Sequence, residues 1–281
     1  MLSTWVLADV GGVIVRDVRC RHLPGAASAP AICGSAALVL VRRGCFTRRV
    51  NGRAEVLCPS TGYLQRPGQE ETFQHPGADG DECTVLSLED DLFAELFGEQ
   101  VEPQSELPLP ATLAVLHRRI LAATDRDARA EIALDLATQA AQLSHRHAAG
   151  LRRRGLTPAQ RQLVIAARES LAADPAQSLT SLAAQLAVSG HHLSRVFSRA
   201  TGRGIARHRI ELRIVAALQQ LQAGEDNLAR LAADLGFADH AHLTRTLRRH
   251  TDSTPSALRH ELHPATTPRS DQHGRPCKTA G

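Results

Sequence analysis

The sequence contains an internal repeat, and this repeat constrains the fold more than any other feature. The segment Leu179-Thr-Ser-Leu-Ala-Ala-Gln-Leu186 matches Leu228-Ala-Arg-Leu-Ala-Ala-Asp-Leu235 at an offset of 49 residues. The segment Leu193-Ser-Arg-Val-Phe-Ser-Arg199 matches Leu243-Thr-Arg-Thr-Leu-Arg-Arg249 at an offset of 50, so the second copy has one extra residue in its turn. Each copy therefore predicts two short helices joined by a tight turn, a helix-turn-helix unit.

The second helix of each unit is predicted to bury one face and expose the other. Ser189 and Asp239 stand where an N-cap side chain accepts a hydrogen bond from the first turn. Leu193, Val196 and Phe197 recur at helical spacing and predict a buried face, so the residues between them share the outer face. The predicted DNA-binding residues are Ser189, His191, His192, Ser194, Arg195 and Arg199 in the first unit, and His240, His242, Thr244, Arg245, Arg248 and Arg249 in the second.

The chemistry of these outer faces suits the major groove of DNA. Arginine can bind guanine through two hydrogen bonds, and hydroxyl side chains can contact a base or a phosphate. The residues predicted to contact bases are His191, Ser194 and Arg195 in one groove, and His240, His242, Thr244 and Arg245 in the next. The residues predicted to hold phosphates are Arg199, Arg248 and Arg249.

A long helix is predicted between the two units, from Ile205 to Gln222, with Gly224 ending it. At ~1.5 Å per residue such a helix spans ~27 Å. Successive major-groove faces lie ~34 Å apart, one turn of DNA. One rigid helix of this length can therefore hold two recognition helices in neighbouring grooves.

Charge is distributed unevenly along the chain. Residues 1–150 contain 14 Arg and Lys against 19 Asp and Glu, whereas residues 151–263 contain 16 against 9. A basic half is expected where a protein meets a polyanion. The alternative explanation is a general bias towards arginine, because Lys278 is the only lysine.

The N-terminal half predicts a different architecture. Short β-branched runs such as Val13–Val18 and Ala37–Arg42 alternate with Gly and Pro turns, and Asn51-Gly52 predicts a tight hairpin. Helices are predicted over Ser87–Phe97 and Pro110–His147, the second interrupted near residues 124–127. The fold class is α+β: an N-terminal β-barrel or sandwich with helices, followed by an all-α domain of two helix-turn-helix units joined by a long helix.

The expected domains are a regulatory domain over 1–147, a linker over 148–156, a DNA-binding domain over 157–263 and a disordered tail over 264–281.

The six cysteines include no C-x-x-C pair, which disfavours a zinc or redox role but leaves it as an alternative. No apolar stretch approaches the ~18 residues of a membrane helix. We expect a cytoplasmic, nucleoid-associated protein with no membrane partner.

Residues 157–262 resemble the AraC/XylS family of transcription regulators. The resemblance rests on the repeat, on Thr201-Gly202, on Leu212-Arg213 in the long helix, on Gly236-Phe237-Ala-Asp239 and on Thr254-Pro255-Ser256. It implies a seven-helix DNA-binding domain. The family's aromatic near each recognition helix is replaced here by His191-His192 and His240-Ala-His242, which alters the expected base preference.

The resemblance also implies an N-terminal cupin-like barrel that binds a small effector, helices that form a homodimer, and partners that include promoter DNA and RNA polymerase. The apolar stripe of 110–147 fits a dimer helix or, alternatively, a cover over the barrel. His75, Tyr63 and Arg66 are candidate pocket residues, although structural roles suit each of them better. A cupin metal site would need a His-x-His pair with a Glu and a further His, whereas His75 stands alone, so no metal and no cofactor are predicted.

The predicted function is a sequence-specific DNA-binding regulator, an activator, and not an enzyme, because no nucleophile elbow, phosphate loop or metal cluster is found. Two alternatives remain. One is a non-specific architectural DNA-binding protein, which needs charge more than two distinct reading faces. The other is an enzymatic or redox-sensing N-terminal domain fused to a DNA-binding domain.

Overall fold

Two antiparallel sheets form the first half of the chain. The structure, a computed structural model, describes residues 2–21, 25–50, 52–75, 80–98, 106–150 and 156–263, and side chains within these ranges except at 146–150. Its strands are β1 (Leu2–Val10), β2 (Val13–Cys20), β3 (Ala31–Ile32), β4 (Ala37–Arg43), β5 (Phe46–Val50), β6 (Arg53–Leu57), β7 (Thr61–Gln65), β8 (Glu70–Gln74), β9 (Asp81–Leu88) and β10 (Glu106–Pro108).

The strands are arranged as a sandwich. The larger sheet has the order β1-β2-β9-β4-β7-β10, and the smaller has the order β3-β8-β5-β6. Their inner faces enclose an apolar cluster that includes Val39, Phe46, Leu57 and Tyr63. The predicted hairpin is confirmed by its strands, since β5 and β6 pair from Val50–Arg53 to Phe46–Leu57 and Gly52 has a φ of +74°; Asn51 lies outside the described residues.

The helices follow in the predicted order. They are α1 (Asp90–Phe97), α2 (Ala111–Ala122), α3 (Arg126–Gly150), α4 (Pro158–Ala173), α5 (Leu179–Gln185), α6 (Gly190–Thr201), α7 (Ile205–Gln222), α8 (Leu228–Asp234), α9 (His240–Thr251) and α10 (Pro255–Leu262). The predicted α+β architecture, a sheet-rich half followed by an all-α half, is confirmed.

The first predicted helix began too early. Ser87 and Leu88 belong to β9, where Ser87 pairs with Ile14 on one side and Ala37 on the other. Arg16 also donates a hydrogen bond from Nη1 to Ser87 Oγ at 2.6 Å. Two neighbouring strands satisfy this backbone, so helix formation starts only after Glu89.

The stripe of α2 and α3 is buried within the chain. Leu113, Ile120 and Leu136 are at most 1% exposed and belong to the core formed with the larger sheet. The apolar stripe therefore covers the sheet, as in the alternative in which this stripe is a cover over the barrel. These buried side chains offer no surface to a second copy of the chain. The domain boundaries stay predictions: α3 extends to Gly150, while residues 151–155 and 264–281 lie outside the described residues.

The all-α half has two cores and touches the sandwich in two places. The first core joins α4 to the first unit, and the second joins α8, α9 and α10 to the C-terminal part of α7. Ala111 and Ala114 of α2 belong to this second core. At the first unit, Arg168 of α4 donates to the carbonyl oxygen of Val56 at 3.2 Å and pairs with Glu106.

Candidate nucleic-acid interface

The first recognition helix, α6, starts at the predicted cap. Ser189 Oγ accepts a hydrogen bond from the backbone N–H of His192 at 3.1 Å, which satisfies a donor left free at the helix start. Leu193, Val196 and Phe197 are at most 2% exposed and fix the inner face. His191, Arg195 and Arg199 are exposed on the opposite face, with His192 and Ser194 partly exposed beside them.

The second recognition helix, α9, repeats this construction. Asp239 Oδ1 accepts from the backbone N–H of His242 at 2.6 Å, and this hydrogen bond lowers the pKa of the carboxyl. Leu243 and Leu247 are fully buried. The exposed residues are His240, His242, Arg245, Arg248 and Arg249, and Thr244 is partly exposed.

The ring of His242 contacts the residues just before α9. Its ring packs edge-on against Phe237 at 5.4 Å, and Nδ1 accepts from the N–H of Ala238 at 3.4 Å. These contacts tie the imidazole to the turn before α9. His242 remains exposed, but its ring is oriented by the turn and presents an edge rather than a freely rotating side chain.

α6 and α9 end with the same pattern of hydrogen bonds, so the repeat in the sequence is also a repeat in the local structure. Thr201 Oγ1 donates to the carbonyl oxygen of Phe197 at 2.9 Å and accepts from the N–H of Arg203 at 3.2 Å. Thr251 Oγ1 donates to Leu247 at 2.7 Å and accepts from Ser253 at 3.4 Å. Arg195 and Arg199 thus correspond in place to Arg245 and Arg249.

The outer faces carry uncompensated positive charge. Within the described ranges, Arg195, Arg245, Arg248 and Arg249 have no carboxylate within ion-pairing distance. Several arginines elsewhere on the domain are paired, as Arg203 is with the buried Glu211. Exposed positive charge on α6 and α9 is what a surface that binds a polyanion requires.

Arg213 of α7 connects the two units, a role that the sequence did not reveal. It donates from Nε to the carbonyl oxygen of Pro175 at 2.8 Å, from Nη2 to Ala176 at 3.1 Å and from Nη1 to Gly236 at 2.9 Å. Its guanidinium also lies over the Phe237 ring at 5.6 Å. Pro175 and Ala176 precede the first unit and Gly236 lies in the turn of the second, so one side chain fixes their relative orientation.

The second unit is docked on the sandwich through α2. Arg118 Nη1 donates to Gln222 Oε1 at 3.3 Å, and Arg119 Nε pairs with Glu261 Oε1 at 2.8 Å. Burial, and then the charge of Arg42, lower the pKa of Arg118 to about 10. The sheet-rich half therefore contacts α4, which shares a core with the first unit, and contacts the second unit through α2.

Polar side chains occupy the interior of the sandwich. Arg48 is 1% exposed, pairs with the equally buried Glu71, and lies over the ring of Tyr63 at 4.3 Å. Burial raises the pKa of the Tyr63 phenol. Arg66, the third predicted pocket residue, donates instead to the carbonyl oxygen of Gly98 at 3.0 Å and lies over Phe93 at 5.1 Å. Tyr63 therefore lines the interior, while Arg66 fastens α1 to the sheet.

The expectation that His75 stands alone is wrong. Its Nδ1 lies 2.8 Å from Asp81 Oδ1 and its Nε2 lies 3.7 Å from Cys20 Sγ, with all three residues buried. The contact with Asp81, followed by that with Cys20, raises the pKa of His75 to about 9. The group offers metal-ligand atoms within 4.8 Å of one another. Because each ring nitrogen of His75 already has a partner, we interpret the group as a buried ion pair of His75 and Asp81 with Cys20 beside it.

The fold and its two exposed reading helices define a DNA-binding protein of the helix-turn-helix class. Residues 182–261 match the family model described as a helix-turn-helix domain. This part of the chain is therefore a helix-turn-helix domain, and it contains both α6 and α9. No curated protein sequence matches the chain. No helix in the described part of the chain is long and apolar enough to span a membrane.

Several solved structures resemble the chain. A variant of ToxT from Vibrio cholerae is 10% identical, with 91% of this chain and 99% of that chain covered and a TM-score of 0.41. The C-terminal domain of AraT from Geobacillus stearothermophilus is 19% identical, with 43% and 98% covered and a TM-score of 0.35. KdgF from a Halomonas species is 15% identical, with 32% and 82% covered and a TM-score of 0.27. These scores lie below 0.5, and what the comparisons establish is the helix-turn-helix domain over residues 182–261.

Proposed function

We propose that this protein is a sequence-specific transcription activator that reads two successive major grooves of promoter DNA with α6 and α9. The observation that carries the proposal is the placement of Arg195 and Arg245. Each arginine is exposed, without a carboxylate partner among the described residues, at the same position of a recognition helix. An architectural protein needs positive charge but not two matched reading faces.

The connection between the units supports readout at a fixed spacing. The 18-residue helix α7 spans ~27 Å and contributes to both cores. Arg213 adds hydrogen bonds to backbone on either side of it. The rigidity of this connection lets the two helices enter grooves on one side of the duplex, about one turn or ~34 Å apart.

The residues divide into two roles by position. Those near the start of each helix face the floor of the groove, and we assign base contacts to His191, Ser194, Arg195, His240, His242, Thr244 and Arg245. Ser189 and His192 lie at the helix start, where backbone N–H groups also attract phosphate. The last-turn arginines Arg199, Arg248 and Arg249 are assigned to phosphates.

The remaining partners follow from the activator role. A small effector would bind between the sheets, where Tyr63 lies beside the Arg48–Glu71 pair, and would act on DNA binding through α2 and α4. RNA polymerase and a second copy of the chain would contact exposed surface, since the α2 and α3 stripe is covered. The protein would act in the cytoplasm, at the nucleoid.

Selection from random duplex DNA tests the proposal. Purified protein is incubated with the library, and the bound fraction is sequenced. The proposal expects two short sequence blocks separated by about one helical turn, ~10 base pairs. Enrichment without any motif, with affinity that collapses as salt rises, would support the architectural alternative instead.

A further inference from the structure

Cys45 and Cys58 face each other across the base of the β5–β6 hairpin. The strands pair in register from Val50 and Arg53 to Phe46 and Leu57. Cys45 and Cys58 are the residues that follow this last pair on either side, and their side chains share a hydrogen bond. Pairs in an antiparallel ladder alternate between hydrogen-bonded and non-hydrogen-bonded, starting from the hydrogen-bonded pair that flanks a two-residue turn. Counting from Val50–Arg53 makes Cys45–Cys58 a non-hydrogen-bonded pair.

This position suits a disulfide. Cα atoms of a non-hydrogen-bonded pair lie ~4.5 Å apart, with their side chains close together. Disulfides join Cα atoms ~4.4–6.8 Å apart. The thiols already interact: a hydrogen bond with the Cys58 side chain, followed by burial, raises the pKa of Cys45 well above its usual value. Both cysteines are free thiols, with Cys58 fully buried and Cys45 partly exposed.

The pair faces the DNA-binding half of the chain. Phe46 and Leu57 point into the sandwich core, so the adjacent positions Cys45 and Cys58 point to the outer face. Val56, on that same face, is 2% exposed, and α4 packs on β6 there. Arg168 of α4 bonds to the Val56 carbonyl oxygen. The charge of Glu169 raises the pKa of the Cys45 thiol, and the charge of Arg168 lowers it.

We propose that Cys45 and Cys58 form a reversible intramolecular disulfide that loosens the contact between α4 and the β5–β6 hairpin, with a low-molecular-weight disulfide as the oxidant. This makes the cysteine pair a covalent modification site that reports the thiol–disulfide balance to the first reading unit. The effect of the disulfide on DNA binding rests on the proposed function. The formation of the disulfide and its effect on α4 do not depend on that function.

The chemistry balances with oxidised glutathione as the co-reactant. Cys45, the more exposed thiol, loses its proton, and its thiolate attacks one sulfur of glutathione disulfide and releases one glutathione thiolate. Cys58 then loses its proton and attacks the Cys45 sulfur, which releases the second glutathione. The protein loses two electrons and two protons, and one glutathione disulfide becomes two glutathione molecules. Because only the thiolate reacts and the pKa of Cys45 is raised, oxidation accelerates with rising pH.

The bond changes the surface on which α4 rests. Two sulfurs in van der Waals or hydrogen-bonding contact move to ~2.05 Å in a disulfide. The outer face beneath Arg168 therefore contracts, and the hydrogen bond to Val56 has to adjust with it. Since α4 shares a core with α6, the first reading helix changes its orientation relative to the second.

The test uses the full chain with Cys277→Ser throughout, so that the tail thiol cannot react. The protein is equilibrated in glutathione buffers from reducing to oxidising and digested after thiol alkylation, and linked peptides are identified by mass. The variants Cys45→Ser and Cys58→Ala are compared with Cys33→Ser, which removes a buried cysteine elsewhere in the sandwich. Amide hydrogen exchange of residues 158–173 reports the contact of α4 without any DNA.

The proposal expects a Cys45–Cys58 link that reverses with reduced glutathione and persists in Cys33→Ser. It also expects faster exchange in α4 when the protein is oxidised, and at least a ~5-fold weaker affinity for selected DNA, the lower end of usual coupling between sites. A link between other cysteines, or no link at any glutathione ratio, overturns it, and mapping on the protein that carries Cys277→Ser alone decides this even if a further variant misfolds. A Cys45–Cys58 link with unchanged exchange in α4 also overturns it. If the reduced protein selects no DNA motif, the proposed function is contradicted. The disulfide proposal is then still decided by the mapped links and by the hydrogen exchange of α4.

Discussion

Arg213 of α7 donates a hydrogen bond from Nη1 to the carbonyl oxygen of Gly236 at 2.9 Å, and thereby joins the long helix to the turn of the second unit. The same guanidinium binds Pro175 and Ala176, which precede the first unit. Desolvation by burial lowers the pKa of Arg213, but the three carbonyl contacts all need its donors. The spacing of the two reading helices therefore depends on one side chain.

Replacing this side chain should weaken both the fold and the reading of DNA. Arg213→Ala leaves three carbonyl oxygens without their partner, and we expect a loss of ~1–3 kcal/mol in unfolding free energy. Urea denaturation measures the loss. Arg230→Ala is the matched control, because its partner Glu225 lies in an exposed pair and the unfolding midpoint should hardly move. Equal midpoints for Arg213→Ala and the control would contradict the role given to Arg213.

The cap of α6 gives a second prediction. Ser189→Ala removes the acceptor for the His192 N–H, which should lower unfolding free energy by ~0.5–2 kcal/mol. Ser189→Asp keeps an acceptor and should retain most of the stability. Thermal denaturation of the two variants distinguishes them. If Ser189→Ala and Ser189→Asp melt together, the hydroxyl does not cap the helix in solution.

The His75–Asp81 contact predicts a dependence of stability on pH. The pKa of His75 is raised from 6.5 to about 9, so the folded state holds this proton more tightly than the unfolded chain. The stabilisation is complete below pH 6.5 and is lost as the pH rises through 9. Unfolding free energy measured across this range should fall for wild type and fall less for Asp81→Asn, which removes the main cause of the shift. Parallel curves for the two proteins would rule out the charged pair.

Glu106 tests the contact between the sandwich and α4. Glu106→Ala leaves Arg168, which is 4% exposed, without its carboxylate partner. An unpaired buried charge is costly, and since the Glu106 side chain is 23% exposed we expect a loss of only ~1–3 kcal/mol. Limited proteolysis should also cut near α4 sooner. Glu261→Ala, on the exposed pair with Arg119, is the control, and identical behaviour of the two variants would show that α4 is not held by this ion pair.

The sequence predicted the all-α half well because its signals are local. A cap residue, an apolar stripe and a repeat at 49 and 50 residues are each readable within a few turns of helix, and Ser189, Asp239 and α7 lie where these signals place them. The outward orientation of Arg195 and Arg245 follows from the same periodicity. Helix boundaries beside the sheet were less readable, because Ser87 and Leu88 are held in β9 by strands distant in sequence.

Contacts between distant residues were beyond the reach of the sequence. His75, which follows β8, and Cys20, at the end of β2, are 55 residues apart in the sequence and meet only in the folded sandwich. No C-x-x-C pair marks Cys45 and Cys58 in the sequence, yet they lie at the end of one hairpin and their side chains share a hydrogen bond. Arg213 is one of many arginines in a basic domain, and nothing local marks it as the residue that reaches Pro175 and Gly236. Each of these requires the paired strands or packed helices to be known first.

The most direct test of the central claim repeats the DNA selection with Arg195→Ala and Arg245→Ala beside wild type, with Arg53→Ala, an exposed arginine on the sandwich, as control. The account predicts two sequence blocks for wild type and the control. Each recognition-helix variant should lose preference at one position of one block, a different block for each, with a cost of ~1–3 kcal/mol at that site. If both variants recover the wild-type motif unchanged, α6 and α9 do not read the bases through these arginines, and the assignment of two reading helices is contradicted.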